Sequence, residues 1–310
     1  MFNLDSYTID STGAFLAGEL EVIDQKLHLP LTSVTWQRDI DVRSDITIAD
    51  AMSSFTNSSF ATSNPGKSWI GRQANAISAV DVDIQKTAQT LELWGKSVQW
   101  TIPELESAMK LGRPVDTQKV AALQLAWNID IDNLVYLGDA ALGFNGLANH
   151  SAITPTNAVT GNWATATASQ ILDDIREQEE ATYAAAGYAF APSELRLDPV
   201  SFGYLLRPLT IGTVSFNSIL EYVSVNSLCN QINGVPLNIK PVKWLGTAGV
   251  SGTKRAVMYT KSEEYVRIPL TPLQRTPLEY RQLHQITTYY SNVGGVELPY
   301  PSTVSYRDAL

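Results

Sequence analysis

The sequence lacks several of the residues on which common protein chemistries depend. Its 310 residues include one cysteine, Cys229, and three histidines, His28, His150 and His284, which stand far apart. A lone cysteine forms neither a disulfide nor a cysteine-based metal site within one chain. None of the histidines has the spacing of a two-histidine metal site. We therefore predict no bound metal and no cofactor, and we interpret Cys229 as a small buried hydrophobe.

Long apolar runs and an excess of basic charge are also missing. No run approaches the roughly 18 apolar residues of a membrane-spanning helix, and the N-terminal stretch MFNLDSYTID lacks the basic and apolar regions of a signal peptide. The 22 Lys and Arg residues are outnumbered by 31 Asp and Glu residues, which gives a net charge of −9. Nucleic-acid readers depend on basic side chains that neutralise phosphates, so this balance argues against one. We expect a soluble protein, made inside the cell, without a membrane partner.

The glycines in YLGDAALGFNGLANHSAI, residues 136–153, raise the question of a phosphate-binding loop. Gly138 and Gly143 stand five apart, as in such loops, but the next two positions hold Phe144 and Asn145 instead of Lys and then Ser or Thr. A helix is predicted before this loop, where a phosphate loop follows a strand. The sequence also lacks a Gly-x-Ser-x-Gly elbow. We interpret the glycines as a tight corner and predict no catalytic residue, with a soluble nucleotide-binding enzyme as the weaker alternative.

Two alternating segments and a polar stretch between them predict a long hairpin. Residues 34–49 alternate as a strand does, with Ile40 and Val42 on one face and charged residues on the other. In Ser53–Ser68, ten of sixteen residues are Ser, Thr or Asn, which predicts an exposed loop or hairpin tip. Residues 79–102 alternate again and are rich in Thr, Val and aromatics, as in one long half-exposed strand. Such a hairpin would project from the body.

A long helix follows the hairpin. Pro103 opens a short helix that Gly112 ends, and apolar side chains from Asp116 to Tyr136 then recur at three- and four-residue steps. A helix of this length would be about 30 Å long. The positions that we expect to form its core are Val120, Leu123, Trp127, Ile131 and Leu134. The middle of the chain is typical of a mixed α/β arrangement, and strands return in the last third.

Four stretches together resemble the major capsid proteins of tailed bacteriophages, the Hong Kong 97 type. They are YTIDSTGAFLAGELE, ITIADAMSSFTNSSF, LELWGKSVQWTIPELESA and GDAALGFNGLAN. The order of elements matches that family over nearly the whole chain. The resemblance implies an α+β chain with the Hong Kong 97-like capsid fold, which has an N-terminal arm, an extended hairpin called the E-loop, a peripheral domain with a long spine helix, and an α/β axial domain.

The resemblance also implies a division of the chain. The segments are an N-terminal arm at 1–40, the E-loop hairpin with flanking strands at 41–102, a peripheral domain with the spine helix at 103–145, an axial domain at 146–245, and return strands of the axial and peripheral domains at 246–310. The E-loop tip is expected to lie at an interface between subunits. Its predicted contact residues are Phe55, Phe60, Lys67 and Trp69.

The function implied by the resemblance is that of a structural protein without enzymatic activity. Copies would assemble as hexamers and pentamers into an icosahedral shell that encloses double-stranded DNA without sequence-specific contacts, in a virion assembled in the host cytoplasm. Scaffolding, portal or cement proteins are further partners of such shells. An encapsulin-like compartment shares the fold and is the alternative. The type member crosslinks a hairpin lysine to a peripheral-domain asparagine; here Lys67 and Asn292 lie in roughly suitable regions, but the matching motif context is absent.

Overall fold

A computed structural model describes residues 32–62, 80–111, 115–211, 214–216 and 218–310. The α-helices in these ranges are α1 Trp36–Asp39, α2 Ile102–Leu111, α3 Val115–Leu137, α4 Ala168–Ala185, α5 Pro199–Tyr204, α6 Ile219–Val225 and α7 Leu228–Asn233. The strands are β1 Asp41–Arg43, β2 Met52–Thr62, β3 Val80–Thr90, β4 Glu92–Thr101, β5 Thr156–Asn157, β6 Glu194–Leu197, β7 Leu209–Ile211, β8 Val214–Phe216, β9 Asn238–Pro241, β10 Arg255–Tyr259, β11 Arg267–Pro269, β12 Gln274–Arg275, β13 Glu279–Arg281, β14 His284–Val293 and β15 Val304–Asp308. Short 3-10 helices lie at Lys243–Gly246, Val250–Gly252 and Pro301–Thr303. The fold therefore mixes helices and strands, as predicted.

The strands of the described ranges form two larger sheets and three small ones. The first sheet has the order β5-β15-β10-β6-β9, with antiparallel pairs around β10 and parallel pairs at both edges. In the second, β14 pairs with β4 over ten residues and with β12 and β13 on its other side. The pairs β1-β11, β2-β3 and β7-β8 complete the set. Because β15 comes from the end of the chain and β5 and β6 from its middle, distant segments share one sheet.

Among the residues that the structure describes, two large hydrophobic clusters form the core. One lies around the C-terminal half of α3 and includes Ile131, Val135 and Tyr136 with residues of β10, β11 and β15. The other packs α4, through Ile171 and Ile175, against the five-stranded sheet. Helix α4 begins with a capping box, in which Thr167 and Gln170 satisfy each other's backbone N–H groups. A smaller cluster joins α3 to β4 and β14.

The predicted long helix is confirmed as α3, with ends one residue beyond the prediction on each side. Two of the five expected core positions, Leu123 and Ile131, are buried. Val120, Trp127 and Leu134 are partly buried and pack against the clusters. The ring of Trp127 meets Trp36 edge to face, with centroids 5.9 Å apart. The contact stripe of the helix is therefore most deeply buried in its C-terminal part, at Ile131, Val135 and Tyr136.

Replacing Trp127 by alanine is expected to lower the free energy of unfolding by about 3 kcal/mol, the low end of the range for core aromatics, because the ring is only partly buried. Trp127→Phe keeps an aromatic ring against Trp36 and should retain most of that stability. Urea unfolding of both purified variants measures the difference. Equal losses in the two variants would show that the Trp36 contact does not stabilise the fold.

The prediction of one strand over residues 34–49 is wrong. Residues Trp36–Asp39 form α1, and only Asp41–Arg43 is a strand. The reason is a carboxylate on α3: Asp132 Oδ1 accepts the backbone N–H groups of Thr35 at 2.8 Å and Trp36 at 3.0 Å, and so organises the turn. Asp39 is fully buried instead of facing solvent.

The predicted hairpin exists, with two corrections to its parts. Strand β2 pairs antiparallel with β3 from Met52 opposite Thr90 to Thr62 opposite Val80. Much of the segment predicted as a loop is therefore strand, and residues 63–68 lie outside the described residues. The strand predicted over residues 79–102 is divided at Leu91, which is buried beneath the hairpin's root. Its two halves pair with different partners, β2 and β14.

The corner after α3 requires glycine. Gly138 has a φ of +68°, and a Cβ on it would lie 2.2 Å from the carbonyl oxygen of Phe144. A Cβ on Gly146 would lie 2.4 Å from the carbonyl oxygen of Tyr136. Asp139 and Phe144 form an isolated antiparallel bridge between these glycines. The close backbone approach accounts for Gly138 and Gly146, as the corner interpretation predicts.

Candidate interaction surface

The described residues offer little for catalysis. Within the described ranges, no group of three or more His, Cys, Asp or Glu side chains could hold a metal ion. Cys229 is fully buried, and burial raises the pKa of its thiol, which disfavours the reactive thiolate. Burial lowers the pKa of the His150 imidazole, because apolar surroundings disfavour its charged form. No helix in the described part of the chain is long and apolar enough to cross a bilayer.

The hairpin β2-β3 contains β3, the longest strand described that is exposed along nearly its whole length. Ten of the eleven residues of β3 are exposed and only Gln89 is intermediate. Alternation places Val80, Val82 and Ile84 on one face of the strand, with exposed fractions of 66%, 45% and 68%. The opposite face carries Asp81 and Asp83. The hairpin thus presents one apolar and one acidic face, with neither face of β3 covered by the described part of its own chain.

The root of the hairpin is held by one buried carboxylate. Glu297 is 2% exposed. Its Oε1 accepts hydrogen bonds from the Ser53 hydroxyl on β2 and from Gln89 Nε2 on β3, the latter at 3.2 Å. Its Oε2 lies 2.8 Å from Arg267 Nε and 3.4 Å from Arg43 Nη1. Glu297 therefore ties both hairpin strands to the body.

Further contacts fix the root on both sides. Gln89 Nε2 also donates to the Gly295 carbonyl at 3.0 Å, and Asn57 Nδ2 donates to the Pro299 carbonyl at 2.7 Å. Arg43 Nη1 donates to Ser53 Oγ at 2.9 Å and to the Ser54 carbonyl at 3.1 Å. Past Asn57, no such contact with the body is found among the described residues of β2. The hairpin is anchored near its base and projects freely beyond it.

Removing the charge of Glu297 should loosen this root without unfolding the subunit. Glu297→Gln keeps a carbonyl acceptor for Ser53 but weakens the bonds to Arg267 and Arg43, and hydrogen bonds to charged groups contribute about 1.5–3 kcal/mol each. We expect faster amide hydrogen exchange at the base of β2 and β3. Asp45→Asn is the matched control, because exposed Asp45 also binds Arg43, at 2.7 Å, and such surface pairs contribute at most about 1 kcal/mol. Equal exchange in the two variants would contradict the anchoring role of Glu297.

The structure describes only some of the predicted contact residues of the hairpin. Phe55 is partly buried near the root, beside a cleft that also contains Asn57 and Glu297. Phe60 lies in β2 opposite Val82, but its side chain is outside the described set, as are Lys67 and Trp69. The interface role of these four residues stays a prediction.

Sequence reasoning missed the exposed apolar row of β3 and the anchor Glu297. The alternation VDVDI was visible in the sequence, but its valine and isoleucine side chains were not expected to be exposed. Nothing near Glu297 in the sequence indicates that it pairs with both hairpin strands.

Asn292 lies in a setting that bears on the crosslink suggested by resemblance. Its side chain is 4% exposed, and Nδ2 donates to the Asp50 carbonyl at 2.8 Å and the Thr47 carbonyl at 3.3 Å. Lys67 is outside the described residues. A side chain that is buried and hydrogen-bonded in this way serves to hold the turn before β2.

Comparisons with known proteins point in one direction. The sequence model of a family described as major capsid protein matches residues 66–310. No curated protein sequence matches the chain. Among solved structures, the capsid of Myoviridae phage XM1 is similar with a TM-score of 0.77 and 15% identity, over 95% of this chain and 98% of that one. The capsid of a native GTA particle is similar with a TM-score of 0.63 and 12% identity, over 97% and 99%.

An encapsulin complex from Synechococcus elongatus is also similar. Its TM-score is 0.55 at 12% identity, and the match covers 96% of this chain and 95% of that chain. At these identities the similarity establishes a shared fold. The family model matches most of the sequence and is therefore evidence of family membership as well as of a shared fold.

Proposed function

The chain belongs to the major capsid protein family, and on that premise we propose that its copies assemble into an icosahedral, phage-type shell. The observation that carries this proposal is the β2-β3 hairpin, in which strand β3 is exposed on both faces. A two-stranded ribbon is marginally stable by itself in water, and its exposed valines and isoleucine favour a covering surface. In an assembly of identical subunits that surface belongs to a neighbouring copy.

The finer parts of a Hong Kong 97-like fold map onto the described elements. The hairpin β2-β3 corresponds to the E-loop and α3 to the spine helix. The sheet β4-β14 with its partners corresponds to the peripheral domain, and α4 with the five-stranded sheet to the axial domain. The residue limits 40, 102, 145 and 245 remain predictions. Support for this mapping comes from the order of the elements and from the fold shared with phage XM1 over nearly the full length.

We further propose hexamers and pentamers as the building units and double-stranded DNA as the content. The net charge of −9 supports a container whose wall lets packed DNA move without adhering. The protein would then be part of the virion, assembled in the host cytoplasm, and would have no enzymatic role. Scaffolding, portal and cement proteins are the further partners to look for.

Electron microscopy of the purified, expressed protein tests the proposal. Negative staining should reveal closed, isometric particles, and light scattering should report their size. Subunits that stay monomeric at all concentrations and salts tested, while melting cooperatively, would refute self-assembly by this chain alone. Coexpression with a candidate scaffolding protein then decides whether assembly needs a partner.

An encapsulin-like compartment is the second candidate, because the Synechococcus elongatus encapsulin complex shares the fold. The two functions differ in content. Nuclease-treated particles purified from the native source should contain protected double-stranded DNA if the shell is viral. A dominant copurifying protein and no protected DNA would favour the compartment instead.

A further inference from the structure

A cleft of about 360 Å³ lies between the root of the hairpin and the corner that follows α3. Strands β2 and β3 contribute one wall, residues 143–152 the second, and residues 296–301 the third. His150 belongs to the second wall, and its side chain is half-buried. Because a histidine changes its charge between about pH 5 and 8, its place in this cleft can make the wall respond to pH.

The imidazole of His150 takes part in closing a turn. Its Nδ1 accepts the backbone N–H of Ala152 at 3.2 Å, and the backbone N–H of Ile153 donates to the His150 carbonyl at 3.1 Å. A ring nitrogen that accepts a hydrogen bond carries no proton, so the neutral ring has its proton on Nε2. The charged ring carries a proton on both nitrogens and accepts no hydrogen bond. Protonation of His150 therefore breaks the bond to Ala152.

The lining of the cleft offers no compensation for a charge on this ring. Besides His150, the titratable side chain among the described lining residues is Glu297. Its carboxylate already faces Arg267 at 2.8 Å and Arg43 at 3.4 Å. The residues that β2 and β3 contribute do not titrate; they are Phe55, Asn57, Thr87, Ala88 and Gln89. A cation formed on His150 thus meets no free carboxylate among the described residues of the cleft.

The charges behind the turn are paired as well. The Tyr306 hydroxyl accepts the His150 backbone N–H at 3.0 Å and donates to the Leu147 carbonyl at 2.6 Å. The guanidinium of Arg255 lies 4.6 Å from the centre of the Tyr306 ring and pairs with Asp308 at 2.6 Å. In the ranges that the structure describes, no carboxylate lies within ion-pair distance of His150. Burial lowers the pKa of the His150 imidazole, and the bond from Ala152 to Nδ1 favours the same neutral form.

The turn connects two parts of the fold. Upstream, the N–H groups of Leu147 and Ala148 donate to carbonyls of α3 at 2.7 and 2.9 Å, and these bonds involve no titrating side chain. Downstream, β5 begins at Thr156 and pairs with β15 in the five-stranded sheet. The bond at His150 therefore adds pH dependence to the connection between α3 and that sheet.

We propose that residues 150–153 form a pH-sensitive switch, which is closed while the imidazole of His150 is neutral and opens when the imidazole gains a proton. Opening frees the second wall of the cleft and loosens the connection from α3 to the five-stranded sheet. The switch goes beyond the proposed shell function, because it is a property of the single subunit and does not depend on assembly.

The direction of the pH dependence follows from the two states of the turn. In the open turn the His150 ring is in water and has an ordinary pKa of about 6.5, whereas the closed turn holds the ring neutral. The open turn therefore binds the additional proton, and the closed turn loses stability as pH falls through about 6.5. Opening is nearly unaffected at about pH 7.5 and is favoured about tenfold at about pH 5.5.

His150→Asn provides a matched variant without a titrating ring. An asparagine side chain accepts the N–H group two residues further on, as in an Asx turn, so it keeps the bond from Ala152 at either pH. Hydrogen exchange of the amides of residues 151–153 is compared between wild type and variant at the same pH, which removes the intrinsic pH dependence of exchange. We expect equal rates at about pH 7.5 and about tenfold faster exchange in wild type at about pH 5.5.

Two controls separate the switch from general destabilisation by acid. His284→Asn removes another histidine and keeps His150, so it should exchange as wild type does. The amides of Ile171 and Ile175, which are buried on α4, should exchange equally in all three proteins, because the switch is local. Equal exchange of residues 151–153 in wild type and His150→Asn at about pH 5.5 would overturn the switch, as would loss of the acid response in His284→Asn.

Titration of the His150 ring by NMR in the wild-type subunit gives a second readout that needs no variant of this residue. A midpoint below about 6.5 is expected, because the closed turn holds the ring neutral. A midpoint at or above that value would also overturn the switch. Either result is obtained on the free subunit, so it leaves the proposed shell function untouched.

Discussion

Removing residues 56–86, with Phe55 joined to Thr87 through an Asn-Gly turn, is expected to abolish shell formation and leave the subunit folded. Phe55 and Thr87 already face each other in the ladder, and a two-residue turn of this type closes such a pair. The deleted part of β3 is exposed throughout, so its loss removes no core side chain. The contacts of Ser53 and Gln89 with Glu297 remain.

Calorimetry tests whether the deletion variant is folded, and electron microscopy tests whether it forms closed particles. We expect a single cooperative melting transition close to that of wild type, together with capsomers or monomers and no closed particles. Normal particles would show that the hairpin is not an assembly element. An unfolded product would show that the hairpin stabilises the subunit itself. A second variant that lacks only residues 63–79 separates the tip from the paired strands.

Asp39→Ala is expected to lower the free energy of unfolding by about 3–5 kcal/mol, the range found when one partner of a buried ion pair is removed. Asp39 is fully buried. Its Oδ1 lies 2.9 Å from Arg196 Nε and 2.6 Å from Arg38 Nε, and Oδ2 accepts the Tyr136 hydroxyl. The variant would leave Arg196, itself fully buried on β6, without its partner on α1, although Glu194 remains beside it.

A double-mutant cycle isolates the Asp39–Arg196 interaction. Arg196→Met removes the buried charge and keeps an apolar stem, so Asp39→Ala with Arg196→Met should be more stable than Asp39→Ala alone. Guanidinium unfolding of the four proteins gives the coupling free energy. Strictly additive losses would mean that the two side chains are energetically independent, and the pair would then not couple α1 to the five-stranded sheet.

Local sequence patterns predicted the elements that are specified by residues within one segment. The stripe from Val120 to Leu134 predicted α3 to within one residue at each end, because helix periodicity depends only on which face is apolar. The prediction failed at residues 34–49 for the opposite reason. Asp39 and the turn before it are determined by Arg196 and Asp132, which lie far away in the sequence. A charged residue in an alternating pattern is ordinarily assigned to solvent, and only the fold reveals its buried partner.

The candidate interaction surface was predictable in outline. The polar stretch from Ser53 and the alternation in β3 indicated a projecting hairpin, since such a segment has too few apolar side chains to form a core. Its strand pairing was underestimated, because Ser and Thr favour turns by local hydrogen bonds while an eleven-residue ladder overrides that preference. The anchor Glu297 had no sequence signal, since its contacts with Ser53 and Gln89 depend on tertiary packing.

The free edges of the β2-β3 ribbon have a consequence for the subunit before it meets a neighbour. In the described part of the chain each of these strands pairs only with the other, so both outer edges present unpaired backbone groups, which are templates for aggregation. Asp81 and Asp83 repeat along β3, so two such ribbons brought edge to edge would set carboxylates against carboxylates. We expect this repulsion to oppose edge-to-edge stacking of free subunits. Neutralising both residues should therefore shorten the shelf life of the free subunit in storage before it alters any finished particle.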